Sequence, residues 1–318
     1  MSLDHLHLLL NHVPTVGAAA ALGLLLLAFV RRNEHLTHAA LEALYVIALL
    51  TLPAYISGAG AYRELRNVPG VSDIAVRIHQ DVALWGFMFI ELAGFVAWLA
   101  LWQTRRHGRA PRSVIAASTL LLMVAIVIMG RAGNLGGEIR HPEIRSSAAQ
   151  TAAEGPALDA EAAAEQFVAA AISRFVVYST WASPAGETVH FLGMSLSIGV
   201  LLAVNLRILG VMRQVPFTHV HRLLPWGMLG LGANLVTGMM FFIGTPAQYV
   251  GNVPFYWKLG LLMVAGANFL YLTVSRNVWA GDQRGFSLAD RAMAVSSIVA
   301  WLAILYAGRM LPFLGNAF

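Results

Sequence analysis

The sequence predicts an all-α polytopic membrane protein with about eight transmembrane helices in two four-helix units. Three observations predict it. The 318 residues are 58% hydrophobic and only 12% charged, where a soluble domain carries about 25% charged residues. Mean hydropathy is +0.66. Eight apolar runs approach the roughly 20 residues that a helix needs to cross the hydrocarbon core, and arginines gather where alternate runs end.

The runs cover 13–30, 39–57, 82–102, 113–130, 186–209, 223–243, 256–274 and 291–311. The first, fourth and eighth are plain from hydropathy alone. The second carries Glu42 near one end and Pro53 near the other, and the third carries Glu91 near its middle. The fifth opens with Glu187 and His190. Between the fourth and fifth, the stretch Ser146 to Glu165 is rich in Ala, Glu, Ser and Gly. Its charges and small residues suit an exposed connector and not a span. Residues 158–181 suit an amphipathic helix ending in Phe175, Tyr178 and Trp181, an interfacial aromatic cluster. The expected organisation is therefore a four-helix membrane unit over 1–145, an extracytoplasmic connector over 146–172 and a second four-helix unit over 173–318. No sequence repeat relates the two units.

One set of span ends holds Arg31, Arg32, Arg105, Arg106, Arg109, Arg112, Arg207, Arg213, Arg222, Arg276, Arg284 and Arg291, twelve of the 21 basic residues. The positive-inside rule makes that side cytoplasmic. An even number of spans then puts both termini outside the cytoplasm. The expected location is the bacterial inner membrane, multi-pass, in contact with lipid. Orienting arginines also account for the net charge of +5, so no nucleic-acid partner is expected. No cleavable signal peptide is evident, because the first apolar run follows His5, His7 and His12 and not a basic segment.

The chain has no cysteine. That excludes disulfides, thiolate-held iron–sulfur clusters and covalent c-type haem attachment. No phosphate-binding loop, zinc-protease motif or nucleophile elbow is present. The Gly133 to Glu138 run is expected to be a turn ending the fourth helix.

Chemistry falls to the eleven histidines. His12 at the start of the first span and His79 before the third share one membrane side. Spans one and three of an up-down bundle are diagonal neighbours, so the two imidazoles are placed to clamp one haem iron from opposite faces. Ala19 and Gly23 share the His12 face and Gly86 the His79 face, where small residues let a macrocycle approach. They equally suit ordinary helix contacts. His190, with Glu187 on the same face, is the strongest single histidine. His141 and His7 are its candidate partners for a second iron. Lys258 is placed either to neutralise a haem propionate or to reach the interface. Asn234 and Asn268 suit interhelical hydrogen bonds. His38 and His221 begin helices on the cytoplasmic side, where a second haem layer would make a path across the bilayer. The remaining histidines read as solvated.

Residues 7–141, with His7-Leu-Leu-Leu-Asn-His12-Val-Pro14, His79 and Gly136-Gly-Glu-Ile-Arg-His141, resemble a four-helix bacterial membrane family that opens His-Pro-x-x-x-His-Phe-Pro. The first Pro and the Phe are missing here. The resemblance implies haem or metal binding. Residues 173–274 resemble a second bacterial membrane family, of the type Trp-x-x-Pro-x-x-Glu-x-x-His-x-x-Gly. Here Trp181, Pro184, Glu187, His190 and Gly193 are followed by Asn205-Leu-Arg207-Ile-Leu-Gly210, with Asn for the usual Asp. Arg222-Leu-Leu-Pro-Trp226, Thr237-Gly238, Phe255, Lys258 and Asn268 come later. That resemblance implies a membrane protein with His190, Arg207 and Lys258 as its marked positions.

These readings combine into an expectation of a membrane b-type haem subunit. One or more haem b groups would lie on His12, His79, His190, His141 and His7, with Lys258 and Arg207 assisting and a quinone as a further cofactor. Electrons would pass between a quinol or membrane redox partner and an extracytoplasmic partner such as a cytochrome, with no bond chemistry of the chain's own. The same histidines leave two alternatives open: a transition-metal-handling transporter and a non-catalytic membrane scaffold.

Overall fold

The computed structural model describes residues 3–65, 68, 71–141 and 167–314. Every regular element among them is helical. Eight helices are long and apolar enough to cross a membrane: Leu3–Arg31, Glu34–Leu65, Asp73–His107, Arg112–Ile139, Ala182–Leu209, Phe217–Gly244, Val253–Val274 and Leu288–Leu314. Much of each span faces outward with apolar side chains. Phe29, Val127, Val236 and Leu302 are all exposed. A soluble surface rarely carries apolar area on that scale, whereas a lipid-facing one requires it. The chain divides into two compact units, Met1–Arg174 and Phe175–Phe318.

In the first unit, α1 (Leu3–Leu10), a π-helical turn (Val13–Gly17) and α2 (Ala18–Arg31) make the first span. Pro14 lies in the π turn. Proline lacks an amide N–H to continue the α ladder, and the wider turn absorbs the interruption. The Asn33 side chain accepts from the amides of His35 and Leu36 at 2.9 and 3.1 Å, capping α3 (Glu34–Leu65). Ser72 caps α4 (Asp73–His107), which ends on Gly108 in the left-handed region. α5 (Arg112–Arg140) returns. Each helix packs on the next, and α2 closes the ring on α5. The spans containing α1 and α4 are thus diagonal. Small residues set the contacts. A Cβ on Gly94 would lie 2.3 Å from Ala48 Cβ, and one on Gly86 would lie 2.2 Å from Met129 Sδ.

α6 (Val168–Tyr178) follows the connector. Tyr178 and Trp181 are exposed, and Phe175 meets Trp181 edge-on at 5.2 Å. The part of the expected amphipathic helix before 167, and most of the connector, lie outside the described residues.

The second unit holds α7 (Ala182–Leu209), α8 (Phe217–His221), α9 (Leu224–Gly244), α10 (Pro246–Tyr249), α11 (Val253–Val274), α12 (Arg276–Arg284) and α13 (Leu288–Leu314). α7 and α9 cross with backbones touching: a Cβ on Gly230 would sit 2.6 Å from the Gly193 carbonyl oxygen. Ser197 Oγ sits at that crossing, 3.0 Å from the carbonyls of both Gly193 and Gly227. α11 packs on α13, and α13 on α7. The expected interhelical amide bond forms from Asn268 Nδ2 to Ser296 Oγ at 3.3 Å. Asn234 instead donates to Gly230 within its own helix, at 3.0 Å.

Two expectations change. The first and third spans begin earlier than hydropathy places them, so His7 and His79 lie inside helices and not before them. The Gly133 to Glu138 run is also helical and not a turn. There Asn134 Nδ2 donates to Glu138 Oε1 at 2.7 Å, and the glycine surface is covered by His79.

Candidate cofactor site

His79, on α4, sits against the late part of α5. Its Nδ1 is 2.9 Å from the Ala132 carbonyl, and a Cβ on Gly136 would lie 3.2 Å from its Cε1. His7, on α1, repeats this against α3. Its Nδ1 is 3.0 Å from the Ala54 carbonyl, and a Cβ on Gly58 would lie 3.0 Å from its Cε1. A carbonyl only accepts, so Nδ1 carries the proton in both rings. Each Nε2 therefore keeps its lone pair. This is how a metal-ligating histidine is oriented: the far nitrogen is tied to a carbonyl, and the near one points at the metal. His7 and His79 lie within electrostatic reach of one another. Two oriented imidazoles on diagonal spans thus lie in the first unit.

The expected partner of His79 was His12. The structure places His12 on the exposed surface at the π turn, and it is His7 that lies within electrostatic reach of His79. His7 and His12 are five residues apart, about 140° around a helix, so both cannot face one bundle interior. The small residues on the His12 side turn outward with it. Ala19 is exposed, and a Cβ on Gly23 would meet nothing within 4 Å. His141 caps the end of α5 and is exposed. It belongs to the first unit, as does His7, whereas His190 belongs to the second.

His190, on α7, repeats the arrangement a third time. Its Nδ1 is 2.8 Å from Thr237 Oγ1 on α9. That hydroxyl spends its proton on the Ala233 carbonyl at 2.7 Å, so it accepts from the Nδ1–H, and Nε2 is again free. A Cβ on Gly238 would lie 3.7 Å from the ring. Across the unit, Lys258 on α11 is within electrostatic reach of His190. A Cβ on Gly308 of α13 would lie 3.7 Å from Lys258 Nζ. Where the first unit sets imidazole against imidazole, the second sets imidazole against ammonium.

Arg207 is not part of this arrangement. It lies 17 residues beyond His190 on the same helix, about 25 Å along its axis. Its Nε–H donates to the Val215 carbonyl, and its guanidinium lies over Phe286 at 5.4 Å. It fastens the turn that begins at Gly210, whose φ of 90° favours glycine. Glu187 is exposed one turn before His190 and approaches Tyr249. Burial and, after it, that carboxylate hold the Tyr249 phenol above its usual range. His38 and His221 fall in separate units. His221 is fully buried, its ring 4.2 Å from Trp279. Glu91 lies about 18 Å along α4 from His79, and its buried Oε1 has no hydrogen-bond partner.

Comparison with family models, curated proteins and solved structures finds no match to this chain. The residues that sequence reasoning missed are the acceptors Ala54, Ala132 and Thr237. Two act through backbone carbonyls, which leave no trace in residue type. Thr237 was noticed only as part of a family motif. A signal for the third was present all the same, since a threonine beside a glycine late in an even span stands opposite a histidine early in the preceding one.

Proposed function

We propose that the chain is a membrane-embedded b-type haem protein that binds haem b between His7 and His79. It would pass electrons between a quinol or membrane redox partner and an extracytoplasmic redox partner in an oxidoreductase complex. One observation carries the reading. Two imidazoles on diagonal spans each have Nδ1 held by a neighbouring helix and Nε2 free. A macrocycle supplies four donors of its own, so its iron takes at most two protein ligands. A bare transition metal asks for three or four, and no group of three or more His, Asp or Glu residues suited to a metal occurs among the described residues. The donor set therefore favours haem over a metal-handling transporter.

Bound haem supplies one-electron chemistry at its iron. The chain's contribution is orientation and exclusion of water. The carbonyls of Ala54 and Ala132 hold the ligand rings, and Gly58 and Gly136 let those rings lie flat on the adjacent helices. The arginine distribution supports an inner-membrane protein with its histidine-bearing span ends outside the cytoplasm.

The test is a dithionite-reduced minus oxidised spectrum of detergent-purified protein from haem-replete cells, with a pyridine haemochrome assay. The wild type is expected to show sharp α and Soret bands. His7→Ala and His79→Ala are each expected to lose them, and His12→Ala to keep them. A colourless wild type would overturn the reading, and loss of the bands in His12→Ala alone would overturn the assignment of the pair.

A further inference from the structure

The arginines at the span ends are unevenly placed. Between α4 and α5, Arg105-Arg106-His107-Gly108-Arg109-Ala110-Pro111-Arg112 sets four arginines and a histidine in one short turn. From Leu92 to Gly137 the sequence holds no Asp or Glu. A pocket of about 450 Å³ opens at this turn, lined by His107, Arg109, Ala110 and Pro111. We propose that it binds the phosphate head group of an anionic phospholipid, whose acyl chains lie along the outward face of α5.

Orientation in the membrane accounts for arginines at a span end. It does not account for a cavity among them. Gly108, at φ 79°, ends α4 in the left-handed region, and Pro111 opens α5. Only residues 108–111 separate the two helices, so the cations stay close together. Arg109 and Arg112 are exposed, and neither makes an ion pair among the described residues. Their guanidinium forks are left to engage phosphate oxygens through paired N–H donors. Pro111 gives α5 no side-chain cap, and the amides of Arg112 and Ser113 have no acceptor among the described residues. They add two donors at the same place.

Two further observations favour a lipid over a soluble anion. The Arg106 guanidinium lies 5.9 Å over the ring of Trp102, one turn earlier in α4, and tryptophan marks the membrane–water interface. From Arg112 onward the exposed face of α5 runs through Ala116, Ala117, Leu120, Met123 and Val127. Steps of three and four keep these residues on one stripe. The small ones lie beside the pocket and leave room for chains to depart, and the larger apolar ones follow deeper in the span. Charged head and apolar tail thus meet matching surfaces in the right order.

The site is independent of haem: His79 lies 28 residues before His107 in α4, about 42 Å along the axis. Full-length protein is delipidated in detergent and titrated with phosphatidylglycerol or with phosphatidylcholine of the same chains, and bound lipid is counted by native mass spectrometry. One phosphatidylglycerol is expected to bind about tenfold more tightly than phosphatidylcholine. Arg109→Gln and Arg112→Gln should each weaken it about fivefold, and together they should remove the preference. Arg284→Gln combined with Arg291→Gln removes two exposed arginines from the second unit and should leave it unchanged. Each variant is checked for a monodisperse elution profile. Inorganic phosphate should displace the lipid no better than chloride at the same ionic strength. Equal binding of the two lipids by the wild type would overturn the proposal. An equal loss in the Arg284 and Arg291 variant would overturn it in favour of diffuse charge, and displacement by phosphate but not chloride in favour of a soluble anion.

Discussion

In the first unit His7 lies within electrostatic reach of His79, and in the second His190 lies within reach of Lys258. The hairpins share a motif, but the packing differs: α3 packs on α4 in the first unit, and no comparable packing joins α9 and α11 in the second. A polar residue early in an odd-numbered span leans on a glycine late in the next span: His7 on Gly58, His79 on Gly136, His190 on Gly238 and Lys258 on Gly308. For the three histidines the acceptor of the Nδ1–H follows at separations of 47, 53 and 47 residues. What differs is one residue type and one acceptor. Replacing an imidazole by an ammonium removes a metal ligand and supplies a hydrogen-bond donor. Replacing a backbone carbonyl by a threonine hydroxyl makes the support of the ring removable by mutation. Similar helical hairpins thus present different functional groups, because chemistry rests on a few atoms at the tips of side chains and not on the path of the backbone.

The comparison can be broken most severely by making the units alike. Lys258→His is expected to offer the second unit a second imidazole and raise haem from one to two per chain in the pyridine haemochrome assay. One haem per chain would mean that the units differ by more than this residue. Thr237→Val keeps the volume of the side chain but removes the acceptor for His190. Loss of that hydrogen bond between α7 and α9 is expected to cost about 1 kcal/mol, read as a lower melting temperature in detergent, with the haem bands unmoved.

The glycines give a smaller contrast. A Cβ at Gly58 would lie 3.0 Å from the His7 ring, and one at Gly238 would lie 3.7 Å from His190. Gly58→Ala is expected to displace its imidazole by a few tenths of an ångström and lower haem occupancy, measured as haem per protein after purification. Gly238→Ala should leave haem per protein unchanged. Within the second unit, Gly230→Ala forces a methyl against the Gly193 carbonyl. About 1–3 kcal/mol of destabilisation is expected from overpacking of this kind, read as a lower melting temperature in detergent. The smallest effect belongs to Asn205→Leu, which loses the 2.9 Å bond to Ser297. Interhelical bonds in membranes average about 0.6 kcal/mol.

The eight spans were legible in the sequence, because the lipid requirement acts on every residue of a span and is written in composition. Their ends were not. Polar residues such as His7, His79 and Asn134 lower a hydropathy sum even where they are helical and packed on a neighbour. A first span beginning at residue 13 leaves His12 as the only histidine able to start it, whereas the structure seats the His7 ring on the Ala54 carbonyl and leaves His12 exposed, five residues of register away. His79, His190 and Lys258 stood out by residue type, since ionisable groups in apolar runs are rare.

The sequence by itself determined the helical class, the number of spans, the side on which arginines gather and the supply of ligating side chains. Each follows from local chemistry: apolar area for lipid, fixed charge for orientation, imidazole for ligation. Only the tertiary structure decided which histidine faces which, that Ala54, Ala132 and Thr237 orient the rings, and that Lys258 takes the place across from His190. Those outcomes depend on rotation about helix axes and on where glycines let two helices touch. A rotation of about 100° per residue turns an error of one position at a span's start into a different face of the helix.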